Sequence, residues 1–112
     1  MGAKGRWFEL RGSNGGYLKI NIECLGLPTL AGLIGKNAVV DFNGGTVLDL
    51  IGQIVNQHGS KARAMLLDQN GVLDYTIQVM INAEGFVGRK AYATRALKDG
   101  DTVRFLLIAG GG

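Results

Sequence analysis

Two hydrophobic periods follow each other along this sequence, and their order constrains the fold more than any other feature. From Leu18 to Cys24, apolar and polar residues alternate, which is the period of a strand with one buried face. The alternation places the Cys24 side chain on the core face. A second alternating stretch, from Ala38 to Phe42, follows a loop that contains Pro28, and we expect the two strands to form a hairpin.

The period then changes to that of a helix. Apolar residues from Val47 to Val55 recur at the spacing of one helical face. Thr46 and Asp49 have nearly the form of a capping box, with Asp in the usual Glu position, and Gly59 supplies a stop signal. The sequence therefore predicts a helix that begins after Thr46, ends at Gly59 and buries one face.

Two further strands complete the pattern. Residues 77–81 alternate again after the turn signal Gln69-Asn70-Gly71, and residues 102–108 form the last strand. Two strands, one helix and two or more strands, without an internal repeat, indicate an α+β domain. We predict a β-grasp (ubiquitin-like) fold, in which one main helix packs across a mixed sheet of four or five strands.

The chain of 112 residues is long enough for one modest domain. We place this domain at residues 17–109. Residues 1–16 end in Ser13-Asn14-Gly15-Gly16, a strong turn signal, and are predicted to be flexible. Trp7 and Phe8 are the exception in this segment, because two adjacent aromatic side chains are expected to dock on the domain itself.

Composition excludes several classes of function. The net charge of +3 suggests nucleic-acid binding, but the basic residues are scattered, so we expect solvated charge and keep a nucleic-acid-binding domain only as a rival. One cysteine, Cys24, rules out an internal disulfide and a cysteine-rich zinc site. No apolar run approaches the length of a membrane span. We therefore expect a cytoplasmic protein that has no membrane partner.

The end of the chain carries a resemblance to a known family. Residues 97–112, LKDGDTVRFLLIAGGG, resemble the end of the small ubiquitin-like sulfur-carrier proteins that serve molybdopterin and thiamine synthesis. In that family, a loop of the form L-x-D-G-D-x-V leads into the last strand and a tail that ends in Gly-Gly. Residues 66–73 and 77–82 look like the turn and strand that the family places before this loop. The resemblance extends over residues 17–112.

The resemblance implies chemistry at the last residue. A carrier of this type presents its C-terminal carboxylate to an adenylating (E1-like) enzyme, and a sulfur donor then converts the acyl-adenylate to a thiocarboxylate. Gly112 would be the site of this chemistry, while Gly110 and Gly111 would form the exposed tail, since glycine lacks the Cβ that clashes in a narrow active site. The carrier would bind no cofactor and would catalyse nothing itself, because the partner enzyme uses the ATP.

Within the resemblance, the extended region between the helix and Asn82 favours the molybdopterin or tungstopterin branch, while a thiamine, amino-acid or thiolation pathway stays open. A large synthase subunit is a further candidate partner. Two other interpretations stay open beside the nucleic-acid-binding rival. The same tail would serve a ubiquitin-like modifier that is conjugated to lysines. A β-grasp interaction module would use no C-terminal chemistry, and residues 110–112 would then be an ordinary frayed chain end.

The last strand also predicts a docking surface. Alternation assigns one set of its side chains to the core: Val103, Phe105 and Leu107. The other set faces outward, where exposed apolar side chains beside a charge suit a partner enzyme: Arg104, Leu106 and Ile108. The alternative is that the N-terminal aromatic pair or a second copy of the chain covers these residues.

Other candidate sites are weak. His58 has no accompanying nucleophile motif and lies at the predicted helix end. Cys24 belongs to a core face, whereas a nucleophile needs exposure and a low pKa. Asp99 and Asp101 flank Gly100 in a turn, with no sign of a cleft for acid-base chemistry. We assign no catalytic residue and no metal ligand.

Overall fold

The computed structural model describes residues 17–108. This part of the chain contains four strands, three α-helices and one 3-10 helix. In chain order these are β1 (Leu18–Leu25), α1 (Pro28–Ile34), β2 (Asn37–Phe42), α2 (Val47–His58), α3 (Ser60–Leu66), β3 (Ile77–Ile81), the 3-10 helix (Arg89–Ala91) and β4 (Thr102–Leu107).

The four strands form one mixed sheet in the order β2-β1-β4-β3. The central strands β1 and β4 are parallel, while β2 and β3 each pair antiparallel with the central strand beside them. The predicted mixed sheet and the α+β class are confirmed. In the described region the sheet has four strands, the lower of the two predicted numbers.

The helices cover one face of this sheet. Buried side chains of α2, such as Leu50 and Ile54, belong to the same apolar cluster as Ile22 of β1 and Phe105 of β4. All four are at most 1% exposed. Cys24, which is 3% exposed, lies in this core, as the alternation predicts.

The predicted ends of α2 are confirmed. The Thr46 hydroxyl accepts a hydrogen bond from the Asp49 N–H at 3.3 Å, and the Asp49 carboxylate accepts one from the Thr46 N–H at 2.9 Å. This reciprocal capping box satisfies backbone donors that the first helical turn leaves unpaired. At the other end, Gly59 has φ +75°, a conformation that favours glycine, and its N–H donates to the Val55 carbonyl.

Two helices were not predicted. The β1–β2 pair is antiparallel, but the connection is not a short hairpin loop, because α1 begins there at Pro28. Proline is favoured in the first helical turn, where its missing N–H has no helical partner to lose. The second unpredicted helix, α3, includes the apolar residues at positions 64–66. Each of these helices has seven residues, too few to display a clear helical period.

Residues 1–16 and 109–112 lie outside the described residues. The predictions about the flexible segment, the Trp7–Phe8 pair and the tail residues Gly110, Gly111 and Gly112 therefore stay predictions. Within residues 17–108, no helix is long and apolar enough to cross a membrane.

Candidate functional site

The last strand lies in the middle of the sheet, and the chain leaves the sheet from there. β4 pairs with β1 on one side and with β3 on the other. Beyond the end of the strand, the Ile108 N–H donates to the Thr76 carbonyl at 2.7 Å. This bond fixes the backbone immediately before residues 109–112, so the point at which the tail begins is set by the sheet.

The face of the sheet turned away from the helices carries a group of apolar side chains near this point. Leu106 is half-buried and lies between Leu25 of β1 and Gln78 of β3 in the strand register. Met80 of β3 bridges to Phe86, which is 59% exposed. With Ile108 at the strand end, which is 41% exposed, these residues form the outer patch: Leu25, Met80, Phe86, Leu106 and Ile108.

Arg104 lies on the same face of β4, two residues before Leu106. Its Nε donates to the Glu23 Oε1 at 2.7 Å, across the β1–β4 pair in which the two residues are directly opposite. The Arg104 and Glu23 side chains are 34% and 31% exposed. The predicted outward orientation of Arg104 and Leu106 is therefore observed, and the charge beside the patch is held by an ion pair within the sheet.

Leu107 lies on the predicted face of the sheet, but it is not buried there. Its register partner Ile77 is buried on the core face, whereas Leu107 is 46% exposed. β4 ends at Leu107. A Cβ at Gly26 would lie only 3.3 Å from the Leu107 Cβ, so the glycine lets the β1 end pass close to it. Leu107 thus adds exposed apolar surface at the base of the tail.

Sequence reasoning missed part of the outer patch. Leu25 could have been found, because continuing the β1 alternation past Glu23 puts it on the outer face. Met80 was assigned to the face opposite Ile77 and Val79, but it was not connected to β4. Phe86 follows the strand in a turn-rich stretch, and no periodicity indicates where its side chain lies.

Burial and hydrogen bonding account for the side chains that the sequence analysis set aside as catalytic candidates. Burial raises the pKa of the Cys24 thiol to about 11, which opposes the thiolate that a nucleophile requires. The Asp101 carboxylate accepts hydrogen bonds from the Asn82 side chain at 3.0 Å and the Lys98 N–H at 2.8 Å. The Asp99 carboxylate accepts one from the Lys19 N–H at 2.7 Å. Both carboxylates hold the turn before β4.

His58 is the last residue of α2, where the sequence analysis placed the helix end. Among residues 17–108, no group of three or more His, Cys, Asp or Glu side chains is arranged to hold a metal ion.

Comparisons with known proteins give no sequence family, since no family model matches the chain and no curated protein matches it. Solved structures do match. Small archaeal modifier protein 1 of Haloferax volcanii superposes with a TM-score of 0.64 at 21% identity, over 82% of this chain and 99% of that one. Urm1 from Trypanosoma brucei gives 0.60 at 24% identity, over 86% and 97%.

The fold is the ubiquitin-like β-grasp. A third match, a chain of the BexX/CysO complex of Amycolatopsis orientalis, gives a TM-score of 0.59 at 28% identity, over 83% of this chain and 99% of that one. In this β-grasp, the outer patch and the starting point of the tail lie at the same end of β4. The helices cover the opposite face of the sheet, so neither feature is part of the core.

Proposed function

We propose that this chain is a sulfur carrier whose C-terminal Gly112 is adenylated by a partner enzyme and then converted to a thiocarboxylate. One observation carries the proposal: β4, a central strand, runs directly toward residues 109–112 and ends beside the outer patch. The glycine sequence at the end of the chain and the structural neighbours support it.

The proposed chemistry needs no catalytic group on the carrier. A carboxylate oxygen of Gly112 attacks the α-phosphorus of ATP, and pyrophosphate leaves. A sulfur donor at the oxidation level of sulfide, such as hydrosulfide, then attacks the acyl carbon through its sulfur atom. The bond from that carbon to the AMP oxygen breaks, AMP leaves, and loss of the thiol proton gives the thiocarboxylate. The net change on the carrier is one oxygen exchanged for one sulfur. Carrier residues contribute binding and the positioning of the tail.

Positioning has an energetic cost that the outer patch can offset. Ordering a glycine-rich tail in an active site costs about 1–2 kcal/mol per residue in backbone entropy. Full burial of an exposed aliphatic side chain returns about 1.5–3 kcal/mol. Ile108 is 41% exposed, so covering it in an interface returns roughly that fraction, about 1 kcal/mol, and the other exposed side chains of the patch add to it. We assign the outer patch, with Arg104 at its edge, as the surface on which the adenylating enzyme docks.

We also propose which pathway receives the sulfur. The extended region between α2 and Asn82 favours the molybdopterin or tungstopterin branch over thiamine synthesis, with a large synthase subunit as the later partner. One structural neighbour is a chain from a two-protein complex, which supports a protein that works through partners.

A second candidate function is a protein modifier. Two structural neighbours are named small archaeal modifier protein 1, and a modifier would use the same activated C-terminus. In that case a lysine amine, instead of sulfur, would attack the acyl-adenylate and form an isopeptide bond.

The test is the intact mass of the full chain after incubation with an adenylating enzyme, ATP and a sulfur donor. We expect exchange of one oxygen for one sulfur, and we expect none in a variant that lacks Gly111 and Gly112. Leu106→Asp should slow the exchange severalfold. Val39→Asp is the matched control, because Val39 lies on the outer face of the edge strand β2 and is 64% exposed.

The outcomes separate the candidates. Covalent attachment to lysines without sulfur incorporation would select the modifier. An unchanged mass with an adenylating enzyme that is active on the chain's own C-terminus by pyrophosphate exchange would contradict the sulfur carrier. Equal effects of Leu106→Asp and Val39→Asp would contradict the assigned docking surface while leaving the tail chemistry standing.

A further inference from the structure

A second apolar surface lies on the helix side of the domain, away from the outer patch. Two adjoining hollows of about 250 and 350 Å³ share Leu48, Gly71 and Leu73 in their walls. We call them together the helix-side groove. It runs over α2, between the turn that the Leu67–Leu73 bridge closes and the segment that contains Tyr92.

The groove exposes apolar side chains that the domain does not cover. Leu48 is 49% exposed and Val72 is 57% exposed, and both line the larger hollow. Leu48 is on α2, and Gly52, one turn later, lines the smaller hollow. The exposed stripe of α2 is therefore continuous along the groove.

Packing among residues 17–108 does not explain why position 52 of α2 is a glycine. Glycine inside a helix is destabilising relative to alanine, because the unfolded chain loses more freedom and no side chain is buried. A Cβ at position 52 would meet no atom within 4 Å, so alanine would fit the domain as described. A glycine at position 52 is explained if another segment packs closely against the backbone of α2 there.

The groove also contains an unsatisfied polar group. Tyr92 is one of the residues that line the larger hollow and is 5% exposed, and its buried hydroxyl has no hydrogen-bond partner among residues 17–108. A buried hydroxyl without a partner is destabilising. The expected resolution is a donor or acceptor supplied from outside the described residues.

We propose that residues 1–16 occupy the helix-side groove and that the Trp7–Phe8 pair is the part that docks. Large aromatic side chains fill apolar hollows, and the indole N–H supplies a polar group beside Tyr92. The described core is built without either aromatic residue. This inference concerns the opposite face of the domain and does not rest on the proposed sulfur chemistry.

The connection to the domain favours this groove over the outer patch. Leu18 pairs with Phe42, and α2 begins five residues after Phe42, so residue 17 enters at the end of the sheet where Leu48 lies. The nine steps from Phe8 to residue 17 can span about 30 Å, enough to reach across the groove.

The outer patch is farther from this entry point. Its residue Leu106 is in register with Leu25, at the opposite end of β1 from Leu18. Seven strand positions separate those ends, a distance of about 23 Å at 3.3 Å per residue. Docking on the helix side keeps the segment at the end of β1 where it enters and leaves the outer patch free for a partner.

Trp7 is the single tryptophan of the chain, so its fluorescence reports on this segment alone. In the folded full chain, we expect blue-shifted emission and severalfold weaker acrylamide quenching than in the urea-unfolded chain. Val72→Asp, which places a charge in the groove, should move both signals most of the way to the unfolded values. Gly52→Leu, which fills the groove floor with a good helix former, should do the same.

Ile108→Asp is the control, because it changes the outer patch and should leave the signals unchanged. Circular dichroism would verify that each variant is folded. Solvent-exposed Trp7 in the unmodified folded chain would overturn the proposal. A response to Ile108→Asp without a response to the groove variants would overturn it in favour of the outer patch. Blue-shifted emission that disappears on dilution would assign Trp7 to an interface between copies instead.

Discussion

The two faces of β4 serve different purposes, although their residues alternate along one strand. On the helix side, Val103 and Phe105 are fully buried. On the other side, Arg104 and Leu106 are partly exposed, and the apolar side chains around Leu106 come from β1 and β3. The strand thus contributes to the core through one face and to the outer patch through the other.

The difference shows that core packing explains the apolar residues on only one face of β4. Burial of Phe105 among the helices accounts for an apolar residue at that position. Single exposed apolar residues are ordinary on protein surfaces, but the register gathers several of them beside the tail. The fold does not require such a group, and the docking surface proposed above would account for it.

The sharpest test of this contrast replaces one residue on each face. Phe105→Ala should lower the free energy of unfolding by about 3–5 kcal/mol, because it removes a fully buried ring and leaves a cavity. Leu106→Ala should lower it by less than about 1 kcal/mol, as is usual for surface positions. Urea denaturation with an unchanged m-value would measure both. Similar losses from the two substitutions would mean that the outer patch is covered in the folded chain.

Cys24 and Leu25 provide the same contrast at neighbouring positions of β1. Burial raises the pKa of Cys24 from 9.0 to about 11. The unfolded chain therefore releases the thiol proton at lower pH than the folded chain. The protonated Cys24 thiol makes its full contribution to the free energy of unfolding below pH 9. This contribution is lost as the pH rises through about 11, and the free energy of unfolding falls by roughly 2–3 kcal/mol.

Cys24→Ala removes this contribution, so the difference between the two proteins isolates it from other groups that titrate in alkali. A companion variant, Leu25→Cys in the Cys24→Ala background, moves the thiol to the outer face. We expect iodoacetamide to modify the thiol at position 25 far faster than Cys24 in the folded protein. Equal rates would show that the core face of β1 opens readily.

The sequence predicted the elements whose period is long enough to read. Residues 18–24 and 77–81 alternate over most of a strand, and α2 shows both its apolar face and its Thr46 cap. The helices α1 and α3 could not be predicted in the same way. Pro28 and Gly59 were interpreted as loop and stop signals, although a proline also begins a helix and a stop can be followed at once by another start.

The outer patch was only half predictable because it depends on contacts between distant parts of the chain. Arg104, Leu106 and Ile108 follow from the alternation of one strand. Their neighbours follow from the parallel pairing of β1 with β4, which joins residues such as Glu23 and Arg104 that are 81 positions apart. Local periodicity contains no information about that register. The alternation assigned Leu107 to the correct face, but it could not show that this residue at the strand end is 46% exposed.

The Glu23–Arg104 ion pair gives the smallest expected effect and the finest test of the outer face. Both side chains are about one-third exposed, so water and salt screen their attraction. A double-mutant cycle with Glu23→Gln and Arg104→Gln should give a coupling of about 0.2–1 kcal/mol in unfolding free energy, the range of exposed pairs. The coupling should shrink as salt is raised to about 1 M, where the Debye length falls to about 3 Å.

The binding readout separates a structural role from a docking role for Arg104. If the guanidinium contacts a partner, Arg104→Gln should weaken binding to the adenylating enzyme more than Glu23→Gln does, because the latter releases the guanidinium without removing it. Equal losses would indicate that the pair acts as a unit to hold the β1–β4 register. A coupling well above 1 kcal/mol that is insensitive to salt would contradict the difference between the two faces of β4. The outer face would then stabilise the fold as the core face does.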